Sequence, residues 1–177
     1  MKILTLTEHQ VTAEMQGQIS ALVDVCFSEN FGGRFYFKQR AHVRILALEE
    51  DSLVGQIGID CRVINVSGTV LKIFGILDVC VHPDQRNAGI ATKLLKIAEE
   101  LARQSDQDFM VLMASKYAFY GRCGYQRVQP APTKWLAIED CQSVKLLEED
   151  LSDCFMVNQL GGTPWPAGQI DLLGYKF

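Results

Sequence analysis

The sequence predicts an α+β fold built on a mixed, mostly antiparallel central sheet. Three strand-like segments follow one another between residues 43 and 81, and a strand–helix–strand pattern comes after them. Successive strands favour antiparallel neighbours, whereas a helix between two strands favours a parallel pair. With 177 residues, of which 48% are hydrophobic and 21% charged, the chain has the composition and length of one globular domain over residues 1–177.

The first half of the chain opens with weak alternation over residues 2–7, which predicts a strand. Apolar residues at helical spacing predict an amphipathic helix over 12–28, broken by Asn30-Phe31-Gly32-Gly33. The aromatic and basic stretch 34–42 is expected to be a loop or short helix. Three predicted strands then cover 43–48, 53–66 and 69–81.

The segment 73–81 is apolar except at Asp78, which is typical of a strand buried on both faces. An apolar stripe of period 3.6 predicts a long helix after Gly89. The remaining predicted elements are a strand over 109–113, a short helix over 115–122, strands over 125–128 and 154–160, a connector at 130–132 and a Gly/Pro-rich tail.

Charge and cysteine usage exclude several classes of protein. A net charge of -4 without a basic stripe argues against nucleic-acid binding. No apolar run is long enough for a signal peptide or a membrane span. The six cysteines form no C-x-x-C pair and have no histidine at zinc-ligand spacing, so no metal site is expected. We interpret them as reduced, mostly buried thiols of a cytoplasmic protein.

The most informative segment is the strand, turn and helix start between Val79 and Thr92. The first N–H groups of a helix have no partner within it and lie at the positive end of its dipole, which favours anions. Gly89 allows close approach of a ligand, and Arg86 adds a positive charge. The turn therefore suits a phosphate or pyrophosphate. It is neither a dinucleotide fingerprint nor a P-loop, and many strand–helix turns contain a glycine for structural reasons alone.

The run Val79-Cys80-Val81-His82-Pro83-Asp84-Gln85-Arg86-Asn87-Ala88-Gly89-Ile90-Ala91 resembles the acyl-CoA signature of the GNAT superfamily of N-acyltransferases. That signature reads V-x-P followed by [QR]-x-x-G-x-[GA]. The run Phe119-Tyr120-Gly121-Arg122-Cys123-Gly124-Tyr125 resembles the second signature, F-Y-x-x-x-G-[FY], at the expected distance. The resemblance covers about residues 12–128. It implies the family fold, with helices on both faces of the sheet, and acetyl-CoA as acyl donor without a metal.

The resemblance also implies roles for the cofactor-binding residues. Val79, Cys80 and Val81 would hydrogen-bond the pantetheine arm, and one of their backbone amides would face the thioester carbonyl. The pyrophosphate would lie on Arg86, Asn87, Ala88, Gly89, Ile90 and Ala91, with Thr92 at the end of the turn. Asn87 and Ala88 depart from the family pattern, which more often has glycine and a basic residue there.

Two residues are catalytic candidates. The resemblance places Tyr120 beside the sulfur of CoA, where a phenol of pKa about 10 can donate a proton to a thiolate of pKa about 8.5. The alternative is a core tyrosine beside Phe119. Asp78 is a candidate general base because burial would raise its pKa, although a structural aspartate is an equal alternative.

Other groups could take these roles. Glu29 and His42 are further candidate bases, and proton loss through water needs none. Cys80 and Cys123 could carry the acyl group covalently, but neither has an adjacent histidine, so direct transfer is favoured.

The tail from Leu160 to Gly174 contains apolar residues that are expected to be buried, among them Trp165. It resembles the tails of aminoglycoside 2'-N-acetyltransferases, and residues 43–95 are similar to nodulation N-acyltransferases, which acylate an amino sugar. These likenesses imply that residues 130–177 form an extension over the acceptor side, with Glu29, Trp165 and the chain-end carboxylate of Phe177 binding substrate. The alternative is a tail that merely covers a sheet edge.

The resulting hypothesis is an N-acetyltransferase that transfers acetyl from acetyl-CoA to a primary amine of a small, amino-sugar-like molecule. The alternatives are a protein N-acetyltransferase and a CoA-binding sensor without turnover. A small-molecule amine is the expected partner, without nucleic acid or membrane, and a homodimer is left open.

Overall fold

The structure is a computed structural model that describes residues 1–27 and 31–177. Its elements within these ranges are β1 (Lys2–Thr7), α1 (Ala13–Phe27), β2 (Val43–Glu49), β3 (Ser52–Val66), β4 (Thr69–Val81), α2 (Ile90–Gln104), β5 (Phe109–Met113), α3 (Tyr117–Arg122), β6 (Gln126–Arg127), β7 (Pro132–Glu139), β8 (Gln142–Asp150), β9 (Phe155–Gln159) and β10 (Ile170–Asp171). They form two compact units. The first unit contains residues 1–60 and 76–98, and the second contains 61–75 and 99–177.

In the first unit, β1, β2 and the start of β3 form an antiparallel ladder in which Thr7 pairs with Val43 and Val43 with Ile59. Helix α1 packs on Leu46, which pairs with Gln56. The next residue pair, Ala47 and Gly55, points to the opposite face of the sheet, because side chains alternate along a strand. Ile90 of α2 packs there, so close to Gly55 that an added Cβ would lie 3.0 Å from Ile90 Cγ2. The unit therefore has helices on both faces, as predicted.

In the second unit, β5 runs parallel to β4 over Ile73–Gly75 and antiparallel to β9, which also pairs with β6. β10 runs antiparallel to β3 and parallel to β7, and β7 pairs antiparallel with β8. The buried core on these strands includes Phe109 and Phe155, both fully inaccessible. The predicted fold class, α+β with a mixed and mostly antiparallel sheet, is confirmed.

The sequence analysis missed β7, β8 and β10. β8 is an edge strand whose side chains are nearly all exposed, so its hydrophobic pattern does not alternate. β10 has two residues, yet it lies between two strands, since Ile170 pairs with Val66 on one side and Thr133 on the other. The alternative of a tail that merely covers a sheet edge is therefore wrong, because the tail supplies an interior strand.

Among the six cysteines only Cys80 is buried, so the expectation of mostly buried thiols is wrong. Over the part of the chain that the structure describes, no helix combines the length and apolar character needed to cross a membrane.

Candidate active site

Strand β4 is distorted at Asp78, which has a φ of +50°. Aspartate is one of the few residues that tolerate this left-handed conformation. A single left-handed residue interrupts the strict alternation of side chains along a strand, so spacing alone does not decide which face Asp78 presents. The carbonyl of Asp78 accepts a hydrogen bond of 3.4 Å from Gln56 Nε2.

A buried cation lies close to Asp78 in the first unit. Arg44, the second residue of β2, has no exposed surface. Its Nε donates to Glu8 Oε2 at 2.9 Å, its Nη1 to Gln56 Oε1 at 2.9 Å and its Nη2 to the Phe35 carbonyl at 3.1 Å. A buried charge is tolerated only when it is paired and hydrogen-bonded in this way. Sequence reasoning overlooked Arg44 and Gln56, although both are polar residues inside apolar strands, the same signal that pointed to Asp78.

Burial raises the pKa of Asp78 to about 6. The positive charges of Arg44 and Lys38 lower this pKa, and the Glu8 carboxylate raises it. The carboxylate is therefore ionised above pH 6 and only moderately basic. A group with a pKa close to neutral is suited to accepting a proton from a reacting amine.

Downstream of β4 the backbone forms an open turn. A 3-10 turn at Pro83–Gln85 leads to Asn87, with φ +65°, and Gly89, with φ +77°. No atom lies within 4 Å of the position that a Cβ on Gly89 would take. Asparagine tolerates the left-handed conformation better than most residues, which accounts for Asn87 at a position where the family more often has glycine.

The turn leads directly into α2, which begins at Ile90. The N–H groups of a helix's first turn have no carbonyl partner within that helix, and here they follow the exposed residues 86–89. Arg86 lies beside them, anchored through its Nε to the Val81 carbonyl at 3.3 Å. Backbone donors, open space above Gly89 and one guanidinium together fit the phosphates of CoA.

Cys26 and Cys80 form a thiol pair that sequence reasoning did not identify. The Cys26 Sγ lies 3.4 Å from the Val81 carbonyl oxygen. Contact with the Cys80 thiol lowers the pKa of Cys26 to about 6, although partial burial acts to raise it. Arg86 and His82 lower the pKa of Cys26 as well. The same contact, together with burial, raises the pKa of Cys80. Cys26 is on α1 and Cys80 on β4, so only the packing of α1 brings them together.

Tyr120 belongs to the second unit, where it lies on α3 and is buried. Its ring packs edge-on against Phe119, with centroids 4.9 Å apart, and against Tyr125 at 5.8 Å. Burial, with a smaller effect of Cys123, raises its pKa to about 12. The hydroxyl therefore stays protonated at neutral pH and is a better hydrogen-bond donor than proton donor, because it is a weaker acid than the CoA thiol.

The three predicted substrate-binding residues have different settings. Trp165 packs edge-on against Phe109, with centroids 5.0 Å apart, and in a tilted arrangement against Phe155, with centroids 5.8 Å apart. The Phe177 ring covers Gly75, where an added Cβ would overlap it, and Arg62 lies 4.4 Å from its centroid. Both side chains thus pack on the core of the second unit. Glu29 lies outside the described residues.

Across residues 1–27 and 31–177, no group of three or more His, Cys, Asp and Glu residues is arranged to hold a metal ion.

A family model described as an acetyltransferase (GNAT) domain matches residues 9–128. No curated protein matches the chain.

Solved structures with the same fold share little sequence with this chain. A GNAT family N-acetyltransferase from Escherichia coli, in complex with CoA, is 15% identical with a TM-score of 0.64, covering 96% of this chain and 89% of its own. A GNAT family acetyltransferase from Brucella melitensis, in complex with acetyl-CoA, is 15% identical with a TM-score of 0.63, covering 96% and 94%. An aminoglycoside 6'-N-acetyltransferase complexed with coenzyme A is 15% identical with a TM-score of 0.62, covering 91% and 99%. Several other similar structures are longer, and the match covers 31–32% of their chains.

Proposed function

The chain belongs to the GNAT acetyltransferase family, and from this membership we propose that it acetylates a primary amine of a small molecule. It is an acetyl-CoA-dependent acetyltransferase, as predicted, and acetyl-CoA is its co-substrate. The acceptor, the residues that carry the reaction and the role of the tail are the proposed parts.

The observation that carries the donor site is the open turn before α2. Residues 86–91 supply the pyrophosphate cradle, since Gly89 leaves room for close approach and the first N–H groups of α2 are available to an anion. Arg86 adds a positive charge at the exposed surface of the turn. Val79, Cys80 and Val81 hydrogen-bond the pantetheine arm, and Thr92 ends the cradle.

Asp78 acts as general base. At neutral pH its carboxylate is ionised, and its raised pKa brings it nearer to that of the ammonium it must deprotonate. The neutral amine then attacks the thioester carbonyl, a C–N bond forms, and the C–S bond breaks as CoA leaves as a thiolate. The acylated nitrogen loses its extra proton, which the CoA thiolate takes up. A backbone amide of residues 79–81 stabilises the negative oxygen that develops during this attack.

Tyr120 stabilises the departing thiolate through a hydrogen bond. A phenol of pKa about 12 does not give up its proton to a thiolate of pKa about 8.5, but it donates a hydrogen bond to that charge. Tyr120 therefore stays a catalytic residue in this proposal, but it donates a hydrogen bond to the thiolate and does not transfer its proton.

An amino-sugar-like acceptor is supported by one of the similar structures, an aminoglycoside 6'-N-acetyltransferase of nearly the same length. Residues 130–177 form the acceptor side in this proposal, with Glu29, Trp165 and Phe177 binding the amine. The cytoplasm is the proposed compartment, and a homodimer stays a prediction.

The test is release of CoA thiol from acetyl-CoA in the presence of a panel of amines. We expect turnover with amino sugars or related polyamines and none with peptides that carry lysine or a free N-terminus. Turnover on peptides alone would indicate a protein N-acetyltransferase. Saturable acetyl-CoA binding without turnover on any amine would indicate a sensor.

A further inference from the structure

Two thiols on different elements meet beside the segment that leads out of β4. Cys26 is on the last turn of α1, partly exposed, and Cys80 is on β4 with 5% of its surface exposed. Both pack in one hydrophobic cluster with Leu46, and the Cys26 Sγ lies 3.4 Å from the carbonyl oxygen of Val81, the residue that follows Cys80. A disulfide requires the two sulfur atoms to lie about 2 Å apart, so the two side chains must close on each other to form it.

The surroundings of Cys26 favour its thiolate. Arg86 is in contact with it, His82 lies near, and both Arg86 and Cys26 converge on the carbonyl oxygen of Val81, at 3.3 and 3.4 Å. A partly exposed thiol beside a guanidinium is the environment typical of reactive cysteines. Cys80, in contrast, is shielded from reagents and keeps its proton.

We propose that Cys26 and Cys80 form a reversible disulfide in which Cys26 is the thiol that a hydroperoxide oxidises first. Such a bond ties the end of α1 to the strand that leads into the Arg86–Ala91 turn. The disulfide can be detected without acetyl-CoA or an amine. Its test is therefore independent of the proposed acetyltransferase reaction.

The reaction has two steps. The Cys26 thiolate attacks the peroxide, an S–O bond forms, the O–O bond breaks, and the leaving alkoxide takes up a proton to give an alcohol and a sulfenic acid. The Cys80 sulfur then attacks the Cys26 sulfur, the S–S bond forms, and the S–O bond breaks. The Cys80 proton and the departing hydroxide combine as water. Overall, two thiols and one hydroperoxide give one disulfide, one alcohol and one water.

The other cysteines serve as internal references. Cys61 and Cys141 are more exposed than Cys26, so oxidation governed by exposure alone would start with them. Cys123 is partly exposed like Cys26 and makes a matched control. Burial raises the pKa of Cys154, the opposite of the direction at Cys26.

The test is a peptide map and intact mass of the full chain after limited tert-butyl hydroperoxide, with and without a thiol reductant. We expect a mass loss of about 2 Da, loss of two titratable thiols, a cross-linked peptide joining Cys26 to Cys80, and full reversal by the reductant. Cys123→Ser should behave as the wild type. Cys80→Ser should instead accumulate a dimedone-reactive sulfenic acid on Cys26, and Cys26→Ser should form the cross-link to no measurable extent.

The proposal is overturned if the wild-type map contains no Cys26–Cys80 peptide while other cysteines are oxidised, or if Cys80→Ser still loses 2 Da at the wild-type rate. Because the map of the wild-type chain needs no substitution, it decides the question even if a variant fails to fold.

Discussion

At the scale of single residues, Asp78 connects a backbone distortion with an altered acid strength. Its φ of +50° and the partial burial of its side chain hold the carboxyl in a place where the charged form is poorly solvated. The charges of Arg44 and Lys38 offset only part of that cost. The pKa of about 6 that results is expected to make the stability of the protein depend on pH between about 4 and 6, and its activity as well if Asp78 is the proposed base.

Asp78→Asn tests this directly through stability. The pKa of Asp78 in the folded state lies above 3.8, the ordinary value for aspartate, which applies to the unfolded chain. The folded state therefore binds the proton more tightly, and the wild type loses stability as the pH rises from about 4 to about 6. Asparagine has nearly the same shape, stays neutral and tolerates the left-handed backbone. We expect equal free energies of unfolding at pH 4 and an advantage for the variant at pH 8 of up to about 3 kcal/mol, measured in urea. A difference that does not change with pH would contradict this.

The same substitution separates the proposed catalytic role from the structural one. If the Asp78 carboxylate accepts the amine proton, wild-type kcat/KM falls as pH drops through about 6, because protonation removes the base. Asp78→Asn should lower kcat by roughly 10²–10⁴-fold and abolish that acidic limb. An unaltered limb near pH 6 in the variant would assign it to another group.

Tyr120→Phe distinguishes hydrogen-bond donation from packing. We expect a fall in kcat of roughly 10²-fold, the lower end for such groups, with an unchanged acetyl-CoA affinity, because the bond forms to the departing sulfur. Tyr125→Phe is the matched control. The Tyr125 hydroxyl is buried and, within the described part of the chain, has no hydrogen-bond partner, so its loss should leave turnover unchanged and stability equal or higher. Full activity in Tyr120→Phe would leave that residue a packing role.

At the scale of elements, the junction between the 86–89 turn and α2 is the feature on which donor binding is proposed to depend. Gly89 combines a φ of +77° with open space where a Cβ would be. A side chain there meets no protein atom within 4 Å but occupies the space through which a phosphate would approach the helix start.

Gly89→Val should therefore remove CoA binding while the fold persists, at a conformational cost of about 1–2 kcal/mol. Gly68→Val is the control, since Gly68 also has positive φ, of +94°, and open space, but belongs to the β3–β4 turn. Both variants should melt at similarly lowered temperatures. Only the wild type and Gly68→Val should gain stability from acetyl-CoA, by about 2.7 kcal/mol at a hundred times Kd. An equal gain in Gly89→Val would move the pyrophosphate away from this turn.

At the scale of the whole molecule, the tail is inseparable from the second unit. Residues 163–177 contain β10, which pairs on both sides, and the rings of Trp165 and Phe177 that pack on the core. Deleting this segment is therefore expected to abolish cooperative unfolding of the second unit rather than to remove amine recognition alone. Circular dichroism during a urea titration would reveal it, and a deletion variant of wild-type stability would contradict it.

A tail that also walls the acceptor side needs a milder change. Trp165→Leu keeps β10 and part of the packing on Phe109 and Phe155, at an expected cost of about 1–3 kcal/mol. If Trp165 contacts the amine, its KM should rise several-fold while that of acetyl-CoA stays constant. Equal changes in both constants would leave the residue a core role.

The order of elements up to residue 128 could be predicted from local patterns, because periods of 2 and 3.6 are properties of consecutive residues. The signature turn could be predicted for the same reason, since a strand end, a glycine and a helix start are contiguous. The strands β8 and β10 could not, because an exposed edge strand and a two-residue strand leave no periodic pattern. β7 was missed because Leu136 and Ile138 on its less buried face are apolar as well, which conceals the alternation of its buried residues.

The sequence by itself determined the family, the fold class and the position of the 86–91 turn. Only the tertiary structure decided the protonation of Asp78, the pairing of Cys26 with Cys80 and the burial of Arg44 against Glu8 and Gln56. These depend on pairs of residues 12 to 70 positions apart in the chain. A pKa or a thiol contact depends on the solvent exposure and the charges that packing places nearby, and these cannot be predicted from local spacing.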